Sequence, residues 1–554
     1  LPDYMLPSAW LILDRMPLTP NGKIDRKQLP APDADKLQRT YVAPRGELEE
    51  AVATIWQEVL HLDRVSRHDD FFELGGHSLL AVQANTRLRQ LLGAELPLKA
   101  HFDHPELAGF VRHLQDEIRP EATHDNIPRI SPEQRLQPQP LSWSQQRLWF
   151  LDQLDPSASA AYRIPGAVRL EGLLDPDALQ WALNRILHRH DILRTTFHNQ
   201  EGEAFQQAAP ASGQAFTLTH HDLRRCAPAS QADQTRELIT SLTRAPFDLS
   251  CGPLIRGLLI RLAENTHVLA IDMHHIISDG WSMARLIHEF ATLYQSRHSS
   301  QEAPLPELPL QYADYAVWQR QGFHAERLQE SLHWWSSQLE GAPALLELPA
   351  DHPRPAAQSH RGRRHCVRLD ATQTRQLRQF AREQGATLHM LLLTGFALLL
   401  SRLSGQNDIV IGTPVANRSH AELEKLIGFF VNTLPIRLQP DAQQDVASLL
   451  QAVKSRMLEA YAHQDTPFEQ IVEAVNPGRS PGHAPLFQPL LSLQNAPQER
   501  SALPGLDIEP LEPDTGTAQF DLALNLFEAG EEIRGELQYA SDLFDAATIA
   551  RWAG

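Results

Sequence analysis

The sequence is poor in cysteine, positive charge and long apolar runs, and each shortage excludes a class of protein. Three cysteines in 554 residues are an odd number, and their wide spacing fits neither a disulfide framework nor a zinc site. The formal net charge of −18 argues against a nucleic-acid or anionic-membrane surface, which needs clustered Lys and Arg. No apolar run approaches the roughly 20 residues of a membrane span. We expect reduced thiols, a cytoplasmic location, and neither nucleic acid nor membrane as partner.

The chain is too long for one hydrophobic core, so we expect several domains. It begins "LPDYMLP" without Met, which predicts a fragment of something longer. A small helical domain is predicted over 45–118, because apolar residues recur there at helical spacing and place a stripe on one face. The first such residues are Leu48, Val52, Ile55, Trp56, Val59 and Leu60.

The rest of the chain predicts a linker followed by an α/β protein. Residues 119–139 are rich in Pro, Gln and charge, which is the composition of an extended linker. Beyond them, helical runs such as "DPDALQWALNRILHRHDIL" alternate with strand-like runs such as "HVLAIDMHH" and "DIVIGTPV". Some 400 residues of this pattern predict two α/β lobes, which we place at 140–310 and 311–554.

The stretch "LGGHSLL" places Ser78 where an amphipathic helix is predicted to begin. Serine is a common N-cap residue, so the plain interpretation is a capping role. The two preceding glycines allow the backbone to approach a partner closely, which leaves a binding role open as well. The residues alone leave both interpretations open.

A second candidate site is "MHHIISDGWS", where His274 and His275 end an apolar strand and Asp279 precedes a helix. Neighbouring side chains on a strand point to opposite faces, so only one histidine can face a cavity. A metal site would need a third ligand and lacks the i, i+4 pair of HExxH. Asp279 could simply cap the following helix. A histidine near its ordinary pKa could also take a proton from an attacking amine or orient it.

The helical segment around Ser78 resembles a known family. The pattern "D-x-F-F-x-L-G-G-H-S-L" in a small helical bundle resembles the peptidyl carrier proteins of nonribosomal peptide synthetases. The resemblance implies a four-helix domain with 4′-phosphopantetheine attached covalently to Ser78. Likewise "LPDYMLP" and "NGKIDRKQL" look like the C-terminal end of an adenylation domain over 1–35. Lys23 would be its adenylate-contacting lysine, vestigial here because the nucleotide-binding body is absent.

Seven further blocks resemble, in order, the signatures of the condensation domains of the same synthetases. They are "SWSQQRLWFL" from Ser142, "RHDILRTTF" from Arg189, "MHHIISDGWS" from Met273, "YADYAVW" from Tyr312, "IGFFVNTLPIR" from Ile427, "HQDTPFE" from His463 and "SPGHAPLFQ" from Ser480. The resemblance implies two lobes like chloramphenicol acetyltransferase, meeting in a V around a tunnel. The last block departs from the family pattern, with "GHAPL" where a basic residue and Asn or His usually precede Pro-Leu.

The same resemblance assigns roles to the residues of the loop. His275 would face the tunnel as the catalytic histidine, and His274 would pack. Asp279 would pair with an arginine to hold the loop, with Arg147 and Arg194 as candidates. Gly280 would permit the turn. Asn432 would lie near the tunnel, as a second-tier candidate.

The resemblance also implies the reaction. The carrier lies upstream, so Ser78 would hold the donor thioester and a downstream carrier would bring the acceptor amine. An upstream adenylation domain and a phosphopantetheinyl transferase complete the expected partners.

Alternatives are an epimerization or dual epimerizing type and a non-catalytic scaffold that recruits carriers. The sequence "HHIISDGWSMAR" and the "QQRLWFL" and "HQDTPFE" blocks favour condensation. We expect a donor residue of L configuration.

Overall fold

The fold is described from a computed structural model. It describes residues 41–94, 96–117, 127–154, 159–299, 305–321, 325–441, 443–478, 480–494, 503, 505–511, 513 and 515–554. The predicted adenylation remnant at 1–35, with Lys23, and the first part of the expected linker lie outside these residues. The described residues form two compact units, one from 41–76 with 100–117 and the other from 77–99 with the described residues from 127 onward.

Helices and strands alternate through most of the described chain. The helices are α1 (Gly46–Leu60), α2 (Ser78–Leu92), α3 (Lys99–Asp103), α4 (Leu107–Glu117), α5 (Pro132–Arg135), α6 (Trp143–Leu154), α7 (Pro176–Arg189), α8 (Pro228–Arg244), α9 (Gly280–Ser299), α10 (Tyr312–Gln321), α11 (Ala325–Leu339), α12 (Ala371–Glu383), α13 (Leu388–Ser404), α14 (Val446–Ala462), α15 (Phe468–Val475) and α16 (Ala546–Ala553). Short 3₁₀ helices span Asp191–Arg194, His275–Ile277 and Ala421–Lys425.

The strands form three sheets. They are β1 (Gln139–Pro140), β2 (Arg163–Gly172), β3 (Thr195–Gln200), β4 (Glu203–Ala208), β5 (Leu218–Asp222), β6 (Ile255–Ala263), β7 (Thr266–His274), β8 (Gly362–Leu369), β9 (Ile409–Val415), β10 (Asn432–Leu438), β11 (Pro489–Gln494), β12 (Leu506–Leu511), β13 (Leu522–Ala529) and β14 (Glu532–Ala540). Their orders are β1-β4-β3, β12-β2-β7-β6-β5 and β10-β9-β11-β13-β14-β8.

The first unit is held by an aromatic core that its apolar helical stripe predicts. Trp56 on α1 is fully buried and lies edge-on to Phe71, with ring centroids 5.0 Å apart. Phe110 on α4 contacts the same indole at 6.0 Å. The glycine pair before α2 is required sterically, because Gly75 has a φ of 98° and a Cβ on Gly76 would lie 2.4 Å from Phe71.

The second unit contains α2 and the two large mixed sheets. Strand β7 is buried along almost its whole length, consistent with its continuous apolar run, and pairs with β2 so that Arg163 lies opposite His274. One strand crosses between the two sides of the expected lobe boundary at residue 310. Strand β12 comes from the C-terminal half, yet it pairs antiparallel with β2 in the first large sheet, Leu506 opposite Gly172.

Within the described residues, no single helix has the length and apolarity needed to cross a bilayer. The bent pair α12 and α13, with 105° between them, would meet that threshold only together.

Candidate active site and carrier serine

The two histidines of the "HH" pair have different surroundings. His274 ends β7 and is buried; its Nδ1 accepts from the Ile276 N–H at 3.1 Å, and its Nε2 lies 3.1 Å from the Ser159 hydroxyl. His275 begins the following 3₁₀ helix, and its backbone N–H donates to the Tyr162 carbonyl at 2.9 Å. The side chain of His274 therefore caps and fixes the turn, while His275 is half-buried with its ring edge-on to Phe429 at 4.7 Å.

The imidazole rings of His274 and His275 also differ in what acts on their pKa. Burial lowers the pKa of His274 to about 3, so this ring is neutral throughout the physiological range. Burial also lowers the pKa of His275, although Asp279 and nearby backbone carbonyls oppose the shift. A neutral imidazole at pH 7 can accept a proton, which is the state that a general base requires.

Asp279 is a buried anchor with both carboxylate oxygens occupied. Oδ1 accepts from the Ser282 N–H and hydroxyl, at 2.8 and 2.7 Å, and from the Arg418 guanidinium at 3.2 Å. Oδ2 accepts from the backbone N–H groups of Phe430 and Val431, at 3.0 and 3.3 Å. With no lone pair left for a substrate, Asp279 acts by fixing the loop that carries His275.

The predicted arginine partners of Asp279 are both wrong. Arg147 lies over the Phe468 ring and faces Glu469 at 3.7 Å. Arg194 pairs with Asp191 at 2.6 Å, three residues away in the same short helix. The observed partner, Arg418, follows β9, and its Nη1 also donates to the carbonyls of Leu423 and Leu426. It was missed because it lies outside the signature blocks, and only the tertiary fold brings it to Asp279.

The expected role of Gly280 is also wrong, whereas an unassigned glycine is sterically required. Gly280 is the first residue of α9, its φ is not in the left-handed region, and a Cβ there would meet nothing within 4 Å. Any residue could adopt this backbone. At Gly428, by contrast, a Cβ would lie 2.1 Å from the Tyr312 ring. The Ser282 hydroxyl oxygen closes the same junction, because it accepts from the Gly428 N–H at 3.0 Å and lies 2.8 Å from the Gly428 carbonyl oxygen.

Asn432 has a clear structural role. Its side-chain amide donates to the carbonyls of Gln464 and Thr466, both at 2.8 Å, and its Oδ1 accepts from the Phe468 N–H at 3.0 Å. The residue is 4% exposed. These bonds hold the "HQDTPFE" loop against β10, so the amide has no free group for a substrate.

The signature blocks converge on one junction around the His275 loop. The Tyr312 hydroxyl donates to the Phe429 carbonyl at 2.6 Å and lies 2.8 Å from the Ser142 hydroxyl. Gln145 donates to the Ile276 carbonyl at 3.3 Å. Blocks that are far apart in the sequence thus meet through direct hydrogen bonds, which hold the Ile276 backbone next to His275 and the backbone of Phe429, whose ring contacts His275.

Ser78 fits the attachment of a phosphate ester. It is the first residue of α2 rather than its N-cap, which is His77, so the capping interpretation does not apply. Its Oγ is buried and has no hydrogen-bond partner of standard geometry among the described residues. Esterification would therefore break no such bond, and the N–H groups of the first turn favour a negatively charged phosphodiester there.

Comparison with known proteins identifies the two parts of the chain. A family model described as "Condensation domain" matches residues 136–554, three quarters of the chain. The chain belongs to the condensation-domain family. A second model, "Phosphopantetheine attachment site", matches residues 50–114, upstream of the condensation domain. The predicted carrier-plus-condensation order, the helical and α/β fold classes and the 4′-phosphopantetheine cofactor are confirmed.

Curated relatives of the whole chain are very large synthetases. A linear gramicidin synthase polypeptide from Brevibacillus parabrevis is 45% identical over 558 residues, and malpinin synthetase from Mortierella alpina is 44% identical over 555 residues. The alignments cover 100% of this chain but only 7% of either relative. They support the condensation interpretation rather than the epimerization or scaffold alternatives.

Solved structures share the fold of the condensation domain. The X-domain from teicoplanin biosynthesis has a TM-score of 0.69 at 29% identity, covering 77% of this chain and 94% of that one. A four-domain nonribosomal peptide synthetase bound to AMP and glycine has a TM-score of 0.68 at 26% identity, covering 75% of this chain and 32% of that one. Condensation domains form amide bonds, so the predicted enzyme class is confirmed at the level of the family.

Proposed function

We propose that this chain is the donor half of a peptide-bond-forming step in a nonribosomal peptide synthetase. Ser78 is the attachment residue, and His275 is the catalytic residue of the condensation domain. When bound, 4′-phosphopantetheine supplies a thiol that carries the donor acyl group as a thioester. Because the carrier segment precedes the condensation domain, the donor is held on Ser78 and the acceptor amine comes from a downstream carrier.

The chemistry assigned to His275 is proton transfer and orientation. The amine nitrogen forms a bond to the donor carbonyl carbon, the carbon–sulfur bond breaks, and an amide and a free thiol result. The neutral His275 ring orients the amine, accepts the proton that nitrogen loses, and returns it to the sulfur. An α-amino group has a pKa of about 7.7 to 8.0, so part of it is already neutral, and positioning contributes alongside proton removal.

One observation carries this assignment: a half-buried His275 of lowered pKa follows β7 on a loop fixed by the buried Asp279–Arg418 pair. Asp279 is saturated by protein groups and His274 is bonded on both ring nitrogens, which leaves His275 as the histidine of the motif for chemistry. The rigid loop holds the ring in one place, and catalysis by orientation depends on that.

The partners follow from the same proposal. An upstream adenylation domain supplies the donor amino acid, a phosphopantetheinyl transferase modifies Ser78, and an aminoacyl carrier is the acceptor. Curated relatives in which this chain matches only a small part support such neighbours. We place the protein in the cytoplasm, where coenzyme A is available, and retain the preference for an L-configured donor.

The experiment is a single-turnover condensation. The chain is loaded at Ser78 with a donor aminoacyl group, mixed with an aminoacyl carrier, and followed by intact mass. We expect the acceptor carrier to gain the mass of the donor residue, and the His275→Ala variant to lose about 10²- to 10⁴-fold in rate. The matched control is His274→Asn, which keeps an acceptor for the Ile276 N–H. Normal transfer by His275→Ala would reject the catalytic assignment.

A further inference from the structure

Helix α2, which carries Ser78 at its first position, contacts the 3₁₀ helix Ala421–Lys425 of the condensation domain. The Arg87 guanidinium donates to the Glu424 carboxylate through two nitrogens, at 2.9 and 3.5 Å. One turn further along, the Gln90 amide donates to Glu422 at 3.4 Å. Both contacts lie within the second compact unit. A helix of the phosphopantetheine attachment segment is therefore joined to the condensation domain by a defined ion pair.

The charges of the two surfaces are complementary. Helix α2 carries Arg87 and Arg89 and no acidic residue, while the 3₁₀ helix carries Glu422 and Glu424. The side chain of Glu424 is only 14% exposed, and that of Arg87 is 24% exposed. Burial raises the pKa of Glu424, and Arg87 is the largest influence that opposes the rise. Removing Arg87 would leave a mostly buried carboxylate without its main counter-charge, so the contact is specific.

The N-terminal end of α2 is covered by residues of the same domain. Tyr461 at the end of α14 interacts with the Ser78 hydroxyl, which opposes the burial that raises the pKa of this tyrosine to about 12. His77 is affected by the charge of Glu528 on β13. In this arrangement the Ser78 Oγ is buried, so no enzyme can reach it.

The 3₁₀ helix Ala421–Lys425, which contacts α2, is hydrogen-bonded to residues next to the His275 loop. The Trp281 indole, two residues after Asp279, donates to the Glu424 carbonyl at 3.1 Å. Arg418, the partner of Asp279, donates to the carbonyls of Leu423 and Leu426 on either side. The backbone around Glu424 is thus held from two directions and presents its carboxylate at a fixed position to Arg87.

We propose that the Arg87–Glu424 pair is a latch which holds α2 on the condensation domain with Ser78 covered, and that it must open before Ser78 can be modified. The inference rests on the proposed function, in which Ser78 is the attachment residue. In the modification, Ser78 Oγ forms a bond to the phosphorus that bears the pantetheine of coenzyme A. The phosphorus–oxygen bond to adenosine 3′,5′-bisphosphate breaks, and the hydroxyl proton passes to the transferase base. Latch opening and modification are consecutive, so a weaker latch gives faster modification.

The test measures modification of the apo chain with coenzyme A and limiting phosphopantetheinyl transferase, followed by intact mass. The key variant is Glu424→Arg, because Glu424 lies outside the carrier segment that the transferase must engage. We expect its modification rate to rise about fivefold. Glu237→Arg, an equal charge change on α8, is the matched control and should be modified at the rate of the original sequence. Glu424→Gln, which keeps size and removes charge, should give a smaller rise.

Charge exchange makes the test specific. The double variant Arg87→Glu/Glu424→Arg restores the pair and should be slower than Glu424→Arg. Raising the salt concentration should reduce the ratio of the Glu424→Arg rate to the original rate. Salt screens the Arg87–Glu424 attraction in the original sequence and so speeds its modification, whereas the variant has no such pair to weaken. An unchanged rate in both Glu424 variants would overturn the latch. Mass gain by a Ser78→Ala variant would instead overturn the attachment assignment, so the two failures are distinguishable.

Discussion

Asp279 and Arg418 are 139 residues apart in the sequence, and their side chains meet at 3.2 Å with 3% and 2% of their surfaces exposed. The pair joins the loop after β7 in the first large sheet to the segment after β9 in the second. It thereby couples the position of His275 to the packing of residues 423–431. The loop that carries His275 is fixed because two parts of the fold hold it at once.

Loss of Arg418 should destabilise the condensation domain strongly. Arg418→Ala leaves the Asp279 carboxylate buried without its cation, and we expect the free energy of unfolding to fall by about 3–5 kcal/mol in urea denaturation. Removing both charges with Asp279→Asn/Arg418→Met should cost less than the single change. Arg169→Ala breaks an exposed pair with Glu171 and should leave the midpoint nearly unchanged. Equal midpoints for Arg418→Ala and Arg169→Ala would contradict the anchoring role.

The condensation rate should depend on the protonation of His275. Burial lowers the pKa of this ring, so its neutral form persists below the ordinary histidine pKa of 6.5. The acceptor amine itself titrates at about 7.7 to 8.0, so single-turnover rates, measured from pH 5 to 8 at saturating acceptor, are divided by the neutral fraction of that amine. We expect the corrected rates to fall on the acid side with an apparent pKa below 6.5. A corrected acid limb centred above 6.5 would be incompatible with a buried neutral base. The amount of loaded donor is checked by mass at each pH.

Stability should also decline in acid because of His274. Its pKa is about 3 in the folded chain and about 6.5 when unfolded, so the unfolded state binds the proton first. The stabilisation is complete above pH 6.5 and is lost progressively as the pH falls towards 3. His274→Asn cannot titrate and retains an acceptor for Ile276. Comparison of urea midpoints between pH 7 and 4 should therefore show a shallower decline for the variant. Parallel declines would show that His274 is not responsible.

Substitution by alanine should destabilise the protein at Gly428 and have little effect on its stability at Gly280. In Gly428→Ala the new Cβ would meet the Tyr312 ring at 2.1 Å, so we expect a loss of about 1–3 kcal/mol in unfolding free energy. In Gly280→Ala the new Cβ meets nothing, and stability should stay within about 0.5 kcal/mol. Thermal denaturation of the two variants side by side is sufficient. A larger loss for Gly280→Ala would mean that its backbone is constrained after all.

The sequence allowed prediction of those features that depend on local pattern or on family resemblance. The apolar stripe of α1 has helical periodicity and β7 is one continuous apolar run, so the placement of both elements followed directly. The Ser78 and His275 motifs are contiguous and specific. The partner of Asp279 was not predictable, because an ion pair between residues 139 apart depends on how two sheets pack.

Other failures have the same origin in tertiary contacts. Gly280 was assigned a turn role from its motif, whereas steric need falls on Gly428, where a ring from a distant helix sits against the backbone. Asn432 is a candidate for a position near the tunnel, and only its contacts with the neighbouring "HQDTPFE" loop show that its amide groups bond to the protein. Strand β12 follows a long stretch of sequence from the C-terminal half. Nothing in that stretch indicates that β12 pairs with β2 in the first large sheet.

The pairing of β12 with β2 has a practical consequence for building hybrid enzymes. A piece of this domain cut at residue 310 would leave the β2 edge open, with a row of unpaired backbone donors and acceptors able to recruit foreign strands. Exchange of the N-terminal lobe between related synthetases should therefore carry residues 506–511 with it. Whole condensation domains, rather than halves, are the natural units for recombination here.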